Sequence, residues 1–233
     1  MQPQSQARIF LADKYQVFQT EYSRSIHVFT DRTPAFSDLA AVKDETLAAK
    51  SNVEYQFDAG ALLLPIVGSL IFSICEAEAG LSCGEILIMN NVPAIKISNQ
   101  YDDSLVNYLI VSFETSFDKG TIVHLYHFDL DTHKNKMTNV FGNSALSISL
   151  GKFEMRRETV YYLSGRNRAC FCLVIQGSFE IAGRLLHERD ALAVWDTEEI
   201  DIESLGKESI LLLIEQPVKN LNALQQYSSN KNI

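Results

Sequence analysis

The chain has 233 residues, of which 46% are hydrophobic, 10% aromatic and 21% charged, with a formal net charge of −9. This composition argues against a disordered or fibrous chain and supplies apolar material for one large domain or two small ones. The acidic balance, without a Lys/Arg-rich run, argues against direct nucleic-acid binding.

No apolar run approaches the ~18 residues that span a membrane. The opening Met1–Phe10 has no basic stretch ahead of an apolar one, so a cytoplasmic location with no membrane partner is expected. From Ile9 to Thr30 the pattern predicts two short strands around Tyr15-Gln-Val-Phe-Gln. Ser37 to Lys50 (S-D-L-A-A-V-K-D-E-T-L-A-A-K) has the propensity of a helix, with Ser37 as its N-cap. From Val53 onward strand follows strand. Leu62–Val67 stops at Gly68, and Leu70–Ile74 follows. Cys83-Gly84-Glu85 turns into Ile86–Met89, Asn90–Pro93 is a loop, and Ala94–Ser98 and Tyr108–Phe113 complete the set.

The second half repeats the theme. Ala145–Leu150 alternates, with Leu146, Ile148 and Leu150 on one face. Thr159–Leu163, Cys170–Ile175, Ser178–Ala182, Ala191–Trp195, Ile200–Ser204 and Ile210–Ile214 follow, with turns at Gly177, Gly183 and Glu188–Asp190. Both halves share the order strand, Gly, strand, acidic turn, strand (I-V-G68-S-L-I-F then C-G-E85-I-L-I-M; V-I-Q-G177-S-F-E-I then E-R-D190-A-L-A-V-W). Short strands at roughly 8–12 residue spacing predict an all-β sandwich or barrel, and the tandem predicts two similar domains. Pro217 to Ile233 reads as a short helix fading into a tail.

Candidate chemistry is sparse. None of the four cysteines (Cys75, Cys83, Cys170, Cys172) forms a C-x-x-C pair. Cys170 and Cys172 are expected to share one face of a buried strand as small hydrophobes. His127, Asp129, Asp131 and His133 alternate, which on a strand puts them on one face, opposite Ile122, Tyr126, Phe128 and Leu130. Two imidazoles and two carboxylates suit zinc or iron. The cheaper explanation is the solvated face of a half-buried strand, and ~6.5–7 Å per two residues spreads them too far for a tight site without a neighbouring strand. Leu163–Ala169 reads as a turn and His187 as an exposed turn histidine. No nucleophile elbow, phosphate loop or dinucleotide fingerprint occurs.

An ordered series of weaker motifs carries a family resemblance. A-R-I-F-L-A-D-K-Y begins at Ala7 and L-A-A-V-K-D-E at Leu39. The stretch Val53–Gln100 follows, then S-I-S-L-G-K-F from Ser147, V-I-Q-G-S-F-E-I-A-G-R-L-L-H-E-R-D-A-L-A-V-W-D-T-E-E-I, and I-L-L-L-I-E-Q-P. Together they resemble the pirin-like bicupins, which include quercetin 2,3-dioxygenase-like proteins. The resemblance implies two tandem double-stranded β-helix (jelly-roll) barrels. The expected division is 1–115 for the N-terminal cupin, 116–139 for a linker that takes in the histidine-rich segment, 140–217 for the C-terminal cupin and 218–233 for the tail. It also implies a strand at Leu39–Lys43, against the helix that propensity favours. The family holds a mononuclear metal, iron or another divalent ion, with a His-x-His pair on one strand and a His and Glu two residues apart on a later one. Aligned on Gly68, Met89 and Ile95, those positions fall on Glu54, Gln56, Ile97 and Asn99. No metal ligand, cofactor or catalytic residue is therefore expected. Glu54, Gln56 and Asn99 are expected either to line a vestigial pocket or simply to face solvent. The function expected is binding of a small molecule or protein partner, with a quercetinase-like dioxygenase built on a nonstandard site as the alternative.

Overall fold

The computed structural model describes residues 5–29, 38–165 and 167–218; among them the regular structure is strand, joined by turns and loops, apart from one short 3-10 turn at Ala12–Lys14. They divide into two compact units. The described residues from Tyr15 to Phe128 make up one, and those up to Lys14 and from Asp129 onward make up the other.

In the first unit, a seven-stranded sheet runs in the spatial order Ile122–His127, Glu85–Asn90, Gly60–Val67, Val106–Phe113, Leu39–Leu47, Ser23–Phe29, Gln16–Gln19. A four-stranded sheet runs Asn52–Gln56, Ala94–Ser98, Ser69–Ile74, Ala77–Ser82. The second unit repeats this arrangement. Its six-stranded sheet is ordered Gln6–Phe10, Ala191–Trp195, Arg168–Gln176, Ser209–Pro217, Ser147–Phe153, Thr138–Gly142, and its four-stranded sheet Glu158–Tyr162, Glu199–Ser204, Ser178–Ile181, Arg184–His187. All pairings are antiparallel. The eight strands within Leu39–Phe113 and the eight within Ser147–Pro217 are thus connected identically, which is the tandem jelly roll read from the sequence.

Three expectations change. Leu39–Leu47 is a nine-residue strand between Ser23–Phe29 and Val106–Phe113, so two hydrogen-bonded neighbours override helix propensity. The strand that the family resemblance implied is therefore present and longer; Ser37 lies outside the described residues. The region up to Phe29 carries three strands, and the first belongs to the second unit. Gln6–Phe10 pairs with Ala191–Trp195, fastened by Trp195 Nε1 donating to Gln6 Oε1 at 2.8 Å and the Ala12 amide to Asp190 Oδ1 at 2.8 Å. An unpaired sheet edge is a liability, and here a strand distant in sequence covers it. The expected linker likewise carries a strand, Ile122–His127, pairing with Glu85–Asn90, and at its end begins a second, Thr138–Gly142, which pairs with Ser147–Phe153. The expected tail helix lies beyond Val218, outside the described residues.

Each barrel is filled from its own strands. The first unit buries Leu47, Leu63, Leu70, Leu81, Leu87, Met89, Ile95, Ile97 and Tyr108 in one cluster. The second buries Phe153, Cys170, Cys172, Phe179, Leu192, Leu211 and Leu213, so the paired cysteines are core residues as expected. Burial pushes the Cys170 thiol well above its ordinary pKa, which keeps it protonated and unreactive.

On the outer face of the second unit's small sheet, Glu203 lies directly opposite both Glu158 and Glu180. Like charges in register are destabilising. Replacing Glu203 by Lys converts two repulsive pairs to attractive ones. The urea midpoint is expected to rise by an amount equal to about 0.2–1 kcal/mol per pair at low salt, with the gain shrinking as salt is added.

Candidate functional site

Alternation decides which residues the N-terminal barrel can use. In Asn52–Gln56 the odd residues point inward: Val53, Tyr55 and, past the strand end, Phe57 pack against the core, while Glu54 and Gln56 are exposed. Ile95 pairs with Tyr55 and Ile97 with Val53, both isoleucines being buried, and Lys96 stands opposite Glu54 on the outer face. Glu54 and Gln56 therefore do not line the barrel interior; of the two positions the sequence left open, they take the solvent-facing one. A register shift of one residue moves a side chain to the other face. The pattern V-E-Y-Q-F already carried this, with apolar residues at every second position.

Asn99 is buried, but its amide is committed to the backbone. Nδ2 donates to the Leu47 carbonyl at 3.1 Å and the Ser104 carbonyl at 2.8 Å, and Oδ1 accepts the Tyr101 amide at 3.0 Å. The inward positions on these two strands, Val53, Tyr55, Ile95 and Ile97, offer no imidazole and no carboxylate, so this donor set does not fit the family's metal. Among the described residues no group of three or more His, Cys, Asp or Glu is arranged to hold a metal ion.

The histidine-rich segment also resolves differently from a single four-ligand face. Its strand ends at His127, whose exposed ring places Nδ1 3.1 Å from Oε1 of the partly buried Glu85. Asp129 caps a turn, accepting the Asp131 amide at 2.9 Å and the Thr132 amide at 3.1 Å; these bonds, led by the Thr132 hydroxyl, hold its carboxyl below the ordinary range. Asp131 pairs with Lys152 at 2.8 Å. The alternation thus breaks after His127, and His133 is exposed.

What the first barrel does bring together is a hydrogen-bonded polar chain on the inner face of its large sheet. Glu45 alternates with the core residue Leu47 and stands directly opposite both Tyr108 and Ser25. Ser25 Oγ donates to Glu45 Oε1 at 2.7 Å, and His27 Nε2 lies 2.9 Å from Ser25 Oγ. The Tyr55 hydroxyl sits 2.9 Å from the hydroxyl of Tyr108, the cross-strand partner of Glu45. Lys43 is the cross-strand partner of His27. Phe18, 53% exposed, packs its ring 4.7 Å from the His27 ring.

Glu45 is only 4% exposed. Burial pushes its carboxyl above the ordinary range; the bond from Ser25, the charge of Lys43 and the Tyr55 hydroxyl oppose that push without cancelling it. Burial and then Lys43 push the His27 imidazole below its ordinary value, so it is neutral at neutral pH. The Tyr55 and Tyr108 phenols are raised, chiefly by burial, and stay protonated.

The second barrel has a related but closed arrangement. Tyr161 occupies the place of Tyr55 and donates to Glu215 Oε2 at 2.8 Å. Ser164 donates to Glu215 Oε1 through its amide at 2.9 Å and its hydroxyl at 2.7 Å, and Arg168 Nε closes the ion pair. With its charge matched inside the wall, Glu215 reads as a structural plug. Glu45 has no such guanidinium and connects instead to a half-exposed histidine.

Ser25, His27, Lys43, Glu45, Tyr55 and Tyr108 were not singled out from the sequence. The usable signal was the i, i+2 spacing of Ser25/His27 and Lys43/Glu45. It becomes meaningful only once both segments are adjacent strands.

The family model for the quercetinase C-terminal cupin domain matches residues 133–215. Among solved structures, YhhW from Escherichia coli is 16% identical, covering 91% of this chain and 98% of its own, with a TM-score of 0.78. The bacterial pirin YhhW in complex with nickel(II), also from Escherichia coli, is 14% identical over 91% of this chain and 100% of its own, with a TM-score of 0.79. Quercetin 2,3-dioxygenase from Acinetobacter baumannii is 10% identical, covering 96% and 94%, with a TM-score of 0.71. At these identities the structural likeness establishes the bicupin fold. No curated protein matches the chain in sequence.

Proposed function

We propose that this chain, a bicupin in fold, is a pirin-like protein that works without the family's metal, as a binding protein whose small-molecule site is the polar inner face of the N-terminal barrel. The observation that carries this reading is the identity of the inward positions on Asn52–Gln56 and Ala94–Ser98: Val53, Tyr55, Ile95 and Ile97. Iron or nickel needs imidazole and carboxylate donors converging from adjacent strands. A tyrosine whose phenol is held protonated and three aliphatic side chains do not supply them. Ser25, His27, Lys43, Glu45 and Tyr55 supply donors, acceptors and a charge of each sign for an organic ligand instead.

A second reading, a quercetin dioxygenase with a nonstandard metal site, draws on the quercetinase family match. Quercetin turnover separates the two. Protein incubated with iron(II), nickel(II) or copper(II) and then assayed for loss of quercetin absorbance is expected to show no more turnover than the free metal. Turnover that follows protein concentration sinks the metal-free reading.

A further inference from the structure

The donors and acceptors around Glu45 have a definite direction. Ser25 has one hydroxyl hydrogen, and it is given to Glu45 Oε1. Ser25 Oγ must then accept from His27 Nε2, so His27 carries its hydrogen on Nε2. Nδ1 is left as a lone pair with no hydrogen-bond partner among the described residues. On the other side Tyr108 stands directly opposite Glu45, with the Tyr55 hydroxyl 2.9 Å from its own. Every hydrogen bond of the His27 arm points toward Glu45. Such a chain can pass a proton inward by exchanging each donor with its acceptor.

We infer that His27, Ser25 and Glu45 form a metal-independent proton-accepting site for a small planar acid that carries an anionic group and an acidic O–H, of which the enol of an aryl 2-oxo acid is the simplest example. The ligand class follows from what surrounds His27. Lys43, its cross-strand partner, provides the charge for a carboxylate and for the anion produced. The half-exposed Phe18 ring beside His27 provides an apolar face for an aryl group.

The proton balance is simple. The ligand O–H proton passes to His27 Nδ1, the Nε2 proton to Ser25 Oγ, and the Ser25 hydroxyl proton to Glu45. The ligand becomes an enolate and Glu45 a neutral acid. Water then protonates the enolate carbon, and Glu45 returns its proton to solvent by the reverse path. The net change is enol to ketone with no redox step. His27 is the residue that touches ligand; Ser25 and Glu45 act through it.

This inference rests on the metal-free reading of the barrel, and its test separates the two. Chelator-dialysed protein is mixed with the enol of phenylpyruvate, and ketonisation is followed by ultraviolet absorbance. Wild-type protein is expected to accelerate it. Glu45→Gln and Ser25→Ala are expected to lose about 100-fold, the scale of a general-base contribution. Ser25→Thr, which keeps the hydroxyl, is expected to retain most of the rate, and Lys43→Met to raise KM more than it lowers kcat. Circular dichroism checks that each variant is folded. In nitrogen-15 spectra His27 is expected to be the Nε2–H tautomer in wild type and to lose that preference in Ser25→Ala. No acceleration by metal-free wild type, or full rates in Glu45→Gln and Ser25→Ala, overturns the relay. Acceleration that appears only after metal is added overturns the metal-free reading as well.

Discussion

Arg168→Met is expected to destabilise the protein by about 3–5 kcal/mol, because it leaves the Glu215 carboxylate buried without its counter-charge. Glu215 is 1% exposed and Arg168 is its ion-pair partner. The Ser164 and Tyr161 donors remain in the variant and satisfy the carboxylate oxygens, but they carry no full charge. The double variant Arg168→Met/Glu215→Leu is expected to recover a large part of the loss, since apolar replacement of both partners removes the stranded charge. Chemical denaturation of the four proteins gives the coupling directly.

The same carboxylate makes stability depend on pH in a definite direction. Burial pushes the Glu215 pKa up, but the Ser164 and Tyr161 hydrogen bonds and the Arg168 charge outweigh it, so the folded value is lowered. Its stabilising contribution is therefore present above the unfolded value of about 4.3 and is lost as pH falls through the folded value. Arg168→Met is expected to flatten that acid limb, while Glu203→Lys, on the outer face, leaves the Glu215 contribution to it in place.

Gly177→Ala is the second large effect. Gly177 joins Arg168–Gln176 to Ser178–Ile181 with φ at +80°, and Gly68 joins the equivalent strands of the first unit with the same angle. A Cβ at Gly177 falls 3.1 Å from Ser209 Cα and closer still to the Ser209 side chain, and it faces backbone that cannot rotate away. The left-handed conformation costs an alanine about 1–2 kcal/mol, and overpacking adds about 1–3 kcal/mol. Gly68→Ala shares the first cost, but its nearest neighbour is a Val106 methyl at 3.0 Å, a side chain that can shift. It is expected to lose less, and paired thermal melts of the two variants test the difference.

The strands that the sequence made plain were the continuous apolar runs, such as Leu62–Val67 and Cys170–Ile175, and the two glycine turns between equivalent strands. Leu39–Leu47 was ambiguous because Ala, Lys, Glu and Leu favour a helix locally, while the pairing that makes it a strand comes from segments distant in sequence. The grouping of Gln6–Phe10 with the second unit was illegible for a similar reason. Nothing in A-R-I-F says that its partner is Ala191–Trp195. At the site, alignment on glycines put Glu54 and Gln56 at the family's ligand positions, whereas the alternation of Val53, Tyr55 and Phe57 places them outward. Glu45 was hidden because a charged residue within a K-D-E triplet reads as surface until its neighbours in space, Ser25, Tyr55 and Tyr108, are known.

The central claim is that the N-terminal barrel works without a resident metal, and metal analysis of protein purified from cells grown with added iron and nickel tests it most directly. The account predicts iron, nickel, copper and zinc each well below one atom per chain. About one atom of any of them per chain, retained through dialysis and lost on replacing His27, His127 or His133, would contradict it.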